Sequence, residues 1–118
     1  MESLLKTYAL ENVATGEVLA RHVKQARSPW LRALGFLART SVTADEGIWF
    51  DDCSAIHTIG MRASLEVIFL DREHVVIAVM PCVLPNRVWL SWPNARTVVE
   101  LGISQGRHVQ VGQMLGLR

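Results

Sequence analysis

A short polar stretch between two apolar segments carries most of the side chains that could do chemistry. It runs from Cys53 to Arg62 and also holds His57, Thr58 and Gly60. An imidazole can activate a neighbouring thiol as a nucleophile, so Cys53 and His57 form one hypothesis for a hydrolase or transferase. The simpler interpretation is a buried thiol beside a histidine that hydrogen-bonds a loop backbone.

A zinc site is the second chemistry that these residue types suggest. Cys82 or His74 would have to complete a site begun by Cys53 and His57, because zinc takes three or four protein ligands. The sequence contains no C-x-x-C and no H-x-x-x-H pair. We therefore predict no metal and no cofactor.

Glycine and arginine in the same stretch indicate an anion-binding turn. Gly60 permits positive φ or a close backbone approach. Arg62 suits bidentate recognition of a carboxylate or phosphate. The alternative is a tight turn before a strand, in which Arg62 pairs with Glu66, Asp71 or Glu100.

Two carboxylates lie inside apolar segments that predict strands. Glu66 lies in Leu65–Leu70 and Glu100 in Arg96–Leu101. A buried carboxylate is paired or protonated, whereas one at an exposed strand position needs no partner. If both point inward near Arg62, they form a polar cluster at the mouth of the sheet, which is the best pocket hypothesis. The predicted ligand-binding residues are Cys53, His57, Thr58, Gly60, Arg62, Glu66 and Glu100.

Tryptophan is frequent for this length, with four residues in 118. Trp30 and Trp49 are most simply core residues. Trp89 and Trp92 lie between two prolines and could stack on a sugar or peptide ring, or be buried in a homodimer contact. Packing of a loop onto the sheet is the simpler interpretation.

The apolar segments predict mostly strands. Leu65–Leu70 and Val75–Met80 are rich in β-branched residues and flank a polar turn, so they form the clearest hairpin. We expect Pro81 to end the second of these strands, because proline cannot donate a ladder hydrogen bond. Further strands are predicted at Leu4–Glu11, Glu17–Val23, Ile48–Phe50, Val88–Leu90, Arg96–Leu101, Val109–Val111 and Met114–Leu117.

Two short helices complete the predicted elements. Ser28-Pro29 is a good helix start, and the helix would end at Gly35 after about two turns. Gly102–Arg107 is predicted as a single helical turn. The sum is one domain over residues 1–118, mainly β (α+β), built as a compact β-sandwich or barrel-like mixed sheet with one or two short helices.

Composition limits the classes of function. Half of the residues are hydrophobic and 19% are charged, which argues against disorder. The formal charge of +1, with both signs interspersed, leaves no basic stripe for nucleic acid and no polybasic patch for a membrane surface. No apolar run reaches the roughly 18–20 residues of a membrane helix, and the start lacks signal-peptide features. We expect a cytoplasmic protein with reduced thiols and no nucleic-acid or membrane partner.

Four segments in order resemble the domain of unknown function 192 (DUF192) family. Arg32–Arg39 resembles its R-x-x-G-L-M-x-R element, and Gly47–Phe50 is similar to its G-M-L-F element. Leu65–Asp71 resembles its L-D-I-I-F-I-D strand, and Val98–Leu101 its V-L-E-L strand. The resemblance implies a small β-rich, sandwich-like fold and no established activity.

The chain departs from the family pattern at three places. His57–Met61 replaces the usual W-M-K-N-T segment, as in a subgroup that carries H-T-x-G-M-R. Glu66 stands where aspartate is usual, and Gln113 stands where a Gly-Asp pair would put aspartate.

Together these observations predict a non-enzymatic, β-rich domain that binds an unknown small molecule or a protein partner at the Cys53–Arg62 loop. Two alternatives stay open. One is a hydrolase or transferase that uses Cys53 and His57. The other is a structural or interaction protein that acts through Trp89–Trp92.

Overall fold

The computed structural model describes residues 6–27, 36 and 39–118. Every regular element within these residues is a β-strand, so the fold is mainly β, as predicted. The strands are β1 (Tyr8–Asn12), β2 (Val18–Ala26), β3 (Glu46–Phe50), β4 (Ala55–Ile56), β5 (Leu65–Leu70), β6 (Val76–Val83), β7 (Leu90–Ser91), β8 (Thr97–Gly102) and β9 (Leu115–Leu117).

Seven of these strands form one mixed sheet in the order β6-β5-β8-β3-β2-β1-β9. β2 and β3 pair in parallel, and the other neighbours pair antiparallel. β4 and β7 form a separate two-stranded sheet. An isolated bridge between Val75 and Met114 joins the two outer edges of the large sheet. Backbone hydrogen bonds between residues 74–76 and 112–115 accompany this bridge. The large sheet is otherwise open along its described strands, so the predicted sandwich or closed barrel is not confirmed.

The β5–β6 hairpin was the clearest prediction, and it is confirmed. β5 has the predicted bounds, and all six of its residues are buried. Five of these six residues are apolar, which is typical of a strand that is covered on both faces. In the turn, the Asp71 Oδ1 accepts hydrogen bonds from the N–H groups of Glu73 (2.8 Å) and Val75 (3.0 Å). These bonds hold His74 in the left-handed region, at φ 65°.

The prediction that Pro81 ends this hairpin's second strand is wrong. β6 continues through Pro81 to Val83. β6 is an outer strand of the sheet, and its register to β5 shifts between the pairs Val67–Met80 and Leu65–Val83. A proline is tolerated in an edge strand at such an irregularity, because no neighbour there requires its missing N–H.

The remaining predicted elements have mixed outcomes. The N-terminal hairpin is confirmed as β1 and β2. The helical turn at Gly102–Arg107 is wrong, because Gly102 ends β8 and residues 103–107 are irregular. The strand at Val109–Val111 is also wrong, and a turn with Gly112 at φ 99° occupies its end. The predicted helix at Ser28–Gly35 and the core assignment of Trp30 lie outside the described residues.

Both faces of the large sheet carry an apolar core. Leu65, Val67 and Phe69 of β5 belong to one cluster, which also contains Ile56 of β4. The alternate residues of β5, such as Ile68, belong to a second cluster on the opposite face. No helix among the described residues has the length and apolar character needed to cross a membrane.

Candidate functional site

Thr58, in the predicted binding loop, ties that loop to the segment before β7. Its Oγ1 donates to the carbonyl oxygen of Leu84 and accepts from the N–H of Arg87, both at 2.8 Å. Its backbone N–H donates to Arg87, and its carbonyl oxygen accepts from Asn86. The neighbouring Gly60, at φ 82°, donates its N–H to the Asn86 Oδ1 at 3.0 Å. The structure therefore gives Thr58 and Gly60 a clear positioning role.

The predicted nucleophile pair is not joined by a hydrogen bond among the described residues. The Cys53 thiol donates to the carbonyl oxygen of Ala55 at 3.1 Å. His57 is exposed, and its Nδ1 accepts from the N–H of Ile59 at 3.3 Å. Arg62 is exposed as well. No group of three or more metal-ligating side chains occurs in the part of the chain that the structure describes.

Glu66 and Glu100 point to opposite faces of the large sheet. β5 pairs with β8 so that Glu66 lies opposite Leu101 and Glu100 lies opposite Val67. Side chains alternate between faces along each strand, so this register separates the two carboxylates. They do not share one polar cluster, although both are buried.

Glu66 is paired with an arginine that the sequence reasoning missed. Arg107 donates from Nη2 (2.6 Å) and Nε (2.9 Å) to the Glu66 Oε1. The same guanidinium donates to the carbonyl oxygens of Leu19, Ala44 and Gly102. The Arg107 and Glu66 side chains are 3% and 8% exposed. Glu66 is thus one half of a buried ion pair that anchors the segment after β8.

Glu100 is buried and has no charged partner among the described residues. It is 5% exposed and lies opposite Ile48 on β3 and Val67 on β5, which both belong to an apolar cluster. No hydrogen bond or ion pair reaches its carboxyl group from the described residues. Burial raises the pKa of Glu100 from 4.5 to about 7, because the charged form loses its hydration.

A polar cleft of about 500 Å³ lies where several strands of the large sheet begin or end. β2 and β3 are parallel, and β8 is antiparallel to both β3 and β5. The carboxyl ends of β2, β3 and β5 and the start of β8 therefore meet at the same end of the sheet, along the strand direction. The residues that line the polar cleft are Gln25, Arg27, Asp51, Asp52, Arg72, His74, Arg96 and Thr97. None of the seven predicted ligand residues is among them.

Asp51 lies in the wall of the polar cleft with several donors around it. Its Oδ1 accepts from the Trp49 Nε1 at 2.9 Å, and its Oδ2 accepts from the Gln25 Nε2 at 2.7 Å. The Arg27 Nε lies 3.6 Å from the same Oδ2. These donors compensate the negative charge of Asp51 within the protein.

Arg72 and Arg96 are the cationic groups of the polar cleft with unused donors. Neither guanidinium makes an ion pair or hydrogen bond to another described residue. Their backbones are nonetheless fixed: Arg96 donates its N–H to Leu70 (2.8 Å) and accepts from Cys53 (2.9 Å). Arg72 belongs to the hairpin turn that the Asp71 carboxylate holds.

His74 links the same turn to the core. Its ring contacts the Trp49 ring edge-on, with centroids 5.0 Å apart. Its carbonyl oxygen accepts from the N–H of Leu115 at 3.0 Å. The indole of Trp49 thus lies directly behind the polar cleft, in contact with two of its lining residues.

The sequence held a weak signal for this site. Arg27, Asp51, Arg72 and Arg96 each lie just outside a predicted or observed strand. Which strand ends meet depends on the order of strands in the sheet, and local patterns do not determine that order. The polar residues at strand ends could have been collected as candidates, but local patterns could not predict that they lie together.

An exposed apolar segment surrounds β7. Val88, Trp89 and Trp92 are 71%, 72% and 43% exposed. Ile59 and Leu84, on the two segments that Thr58 joins, are each 48% exposed. Trp89 and Trp92 are therefore largely surface residues, whereas the simpler interpretation of the sequence was that this loop packs onto the sheet.

Comparison with known proteins gives a family and two similar folds. The DUF192 family model, described as "Uncharacterized ACR", matches residues 10–117. No curated protein matches the sequence. A protein of unknown function from Novosphingobium aromaticivorans is 18% identical, with a TM-score of 0.74 over 92% of this chain and 82% of that one. A proposed transcription regulator from Sinorhizobium meliloti is 20% identical, with a TM-score of 0.75 over 95% and 96%. At these identities the likeness shows the fold alone.

Proposed function

The chain belongs to the DUF192 family, and we propose that it is a binding domain for a small polar molecule that occupies the polar cleft. The observation that carries this proposal is a cavity of about 500 Å³ lined by eight polar side chains. Sites for small molecules typically have volumes of about 300–1,000 Å³ and a few convergent polar groups. The loop from Cys53 to Arg62 is the competing location that the sequence predicted.

The polar cleft has the rigidity that a binding site needs. Its residues lie at strand ends or in the Asp71 turn, and the backbone bonds of Arg96 and His74 tie them to neighbouring segments. Sites on such elements keep their geometry better than sites on long loops. A preformed site loses less conformational entropy when it binds.

Binding is supported better than catalysis. The hydrolase or transferase hypothesis requires the Cys53 thiol within reach of the His57 imidazole, with a third group to orient the histidine. In the described residues these two side chains instead bond separately to nearby backbone. The polar cleft itself contains a histidine and two carboxylates but no thiol.

Nuclear magnetic resonance with a library of small neutral, cationic and anionic molecules tests the proposal. The Trp49 indole N–H is a built-in reporter, since it donates to Asp51 and its ring contacts His74. We expect a binding molecule to shift this signal and the backbone amides of His74 and Thr97. The Trp89 indole, which is 72% exposed, is the control and should not move. Shifts confined to residues 53–62, or no shifts with any compound, would refute the proposal.

Self-association through Trp89–Trp92 is the second candidate. The observation in its favour is the exposure of Trp89 and Trp92 beside the exposed Val88. Large aromatic side chains contribute strongly at interfaces when they become buried. Light scattering on Trp92→Ala tests it: a dimer that dissociates in the variant supports the interface, and an unchanged mass counts against it.

A further inference from the structure

We infer that the ligand of the polar cleft is an anion whose phosphate or carboxylate group is held by Arg72 and Arg96. The inference rests on the proposed function, since it names the chemistry of the molecule that the same cleft would bind. It differs from the sequence prediction, which assigned anion binding to Gly60 and Arg62.

The charge of the polar cleft favours an anion. Three arginines and two aspartates line it, so the side chains sum to a formal charge of +1 before His74 is counted. Asp51 already accepts from Trp49 and Gln25 and lies beside Arg27. These neighbours compensate the negative charge of Asp51, so Asp51 repels an incoming anion less than an isolated carboxylate would.

The two remaining arginines of the cleft, Arg72 and Arg96, have donors to offer a ligand. Within the described chain, Arg72 and Arg96 have no anionic partner, unlike Arg21, Arg39 and Arg107, which each pair with a carboxylate. A guanidinium presents a planar set of donors that matches the oxygens of a phosphate or carboxylate. Two such groups in one cleft are suited to a single oxyanion.

Both arginines project from backbone that hydrogen bonds hold in place. The backbone N–H of Arg96 donates to the carbonyl oxygen of Leu70, and its carbonyl oxygen accepts from the N–H of Cys53. Arg72 is in a turn whose carboxylate, that of Asp71, accepts two backbone N–H groups. Ordering the two side chains on a ligand therefore costs little backbone entropy.

The volume of the cleft indicates a ligand that is larger than a bare ion. A volume of about 500 Å³ far exceeds the roughly 30 Å³ that one water molecule occupies in the liquid. The ligand class is thus a small organic molecule that carries a phosphate or carboxylate.

Titrations with four small probes test the inference. Binding is followed by the nuclear magnetic resonance signals of the Trp49 indole and the His74 amide. The probes are inorganic pyrophosphate, succinate, neutral glucose and cationic putrescine. We expect pyrophosphate or succinate to shift these signals, and raised salt to weaken the binding. Arg72→Gln and Arg96→Gln should each weaken it by about tenfold or more, because hydrogen bonds to charged groups are strong. Arg87→Gln, which removes an exposed arginine outside the cleft, should leave the affinity unchanged.

The outcomes separate the inference from the proposed function. Pyrophosphate binding alone identifies a phosphate ligand, and succinate binding alone a carboxylate; either supports the inference. Binding of glucose or putrescine without either anion overturns the inference and leaves the proposed function standing. Anion binding that survives both Arg72→Gln and Arg96→Gln, or that falls equally in Arg87→Gln, also overturns it. If all four probes and the compound library leave the cleft signals unmoved, the proposed function itself fails.

Discussion

Replacing Glu100 by glutamine should change how the stability of the protein depends on pH. Glu100 has an ordinary pKa of 4.5 in the unfolded chain and a pKa of about 7 in the folded protein. Between these two values the folded state keeps a proton that the unfolded state has released. Rising pH therefore favours unfolding across this window.

The magnitude follows from the difference between the two pKa values. One pKa unit corresponds to about 1.4 kcal/mol, so the shift of Glu100 lowers the free energy of unfolding by about 3 kcal/mol between pH 4 and pH 8. Well below pH 4.5 both states are protonated and the penalty is absent. Glu100→Gln removes the ionisation, so its stability relative to the wild type should rise by about 3 kcal/mol across the same range.

Urea denaturation at a series of pH values, followed by tryptophan fluorescence, measures this difference. The dependence on urea should keep its slope, which shows that the same surface is exposed on unfolding. Glu73→Gln is the matched control, because it makes the same chemical change at an exposed turn residue. Its pH profile should follow the wild type. Parallel profiles for Glu100→Gln and the wild type would refute the reasoning and imply that the Glu100 carboxyl is ionised in the folded protein.

Two further predictions concern stability and use the same denaturation assay. Arg107→Met should lower the free energy of unfolding by about 3–5 kcal/mol, because it leaves the buried Glu66 carboxylate without its cation. Adding Glu66→Leu should restore much of the loss, and a double variant as unstable as the single one would contradict this account. Gly102→Ala should destabilise by about 1–3 kcal/mol or more, because a Cβ there would collide with the backbone of Thr43. Gly106→Ala, where a Cβ meets open space, should change stability by less than about 0.5 kcal/mol, and equal effects at the two glycines would contradict the packing argument.

Local patterns predicted most of the strands. β5 has the predicted bounds because a run of six residues between turn signals, all apolar except Glu66, fits a fully buried strand. β8 and the first hairpin were also found within a few residues. The predicted end of β6 was wrong because it rested on a single proline. Pro81 did not end β6, because an edge strand can carry a proline where an inner strand cannot.

The candidate site could not be predicted in the same way. It depends on the parallel pairing of β2 with β3 and on the insertion of β8 between β3 and β5. These pairings join segments far apart in sequence, and hydrophobic periodicity contains no information about them. The burial of Glu66 and Glu100 was one of two readings left open. Only the strand register shows that the two side chains lie on opposite faces of the sheet. Only the folded structure shows that Arg107 is the partner of Glu66.

The isolated bridge between Val75 and Met114 affects more than the shape of the sheet. Met114 precedes β9, which pairs with β1, while the adjacent Leu115 donates its N–H to His74. One short segment thus shields unpaired backbone groups at the two outermost strands, where another chain could otherwise add by strand pairing. Because this segment contacts residues from early and middle parts of the polypeptide, it can reach its final place only after both have assembled. Deletion of residues 112–117 should therefore expose both outer strands and promote aggregation.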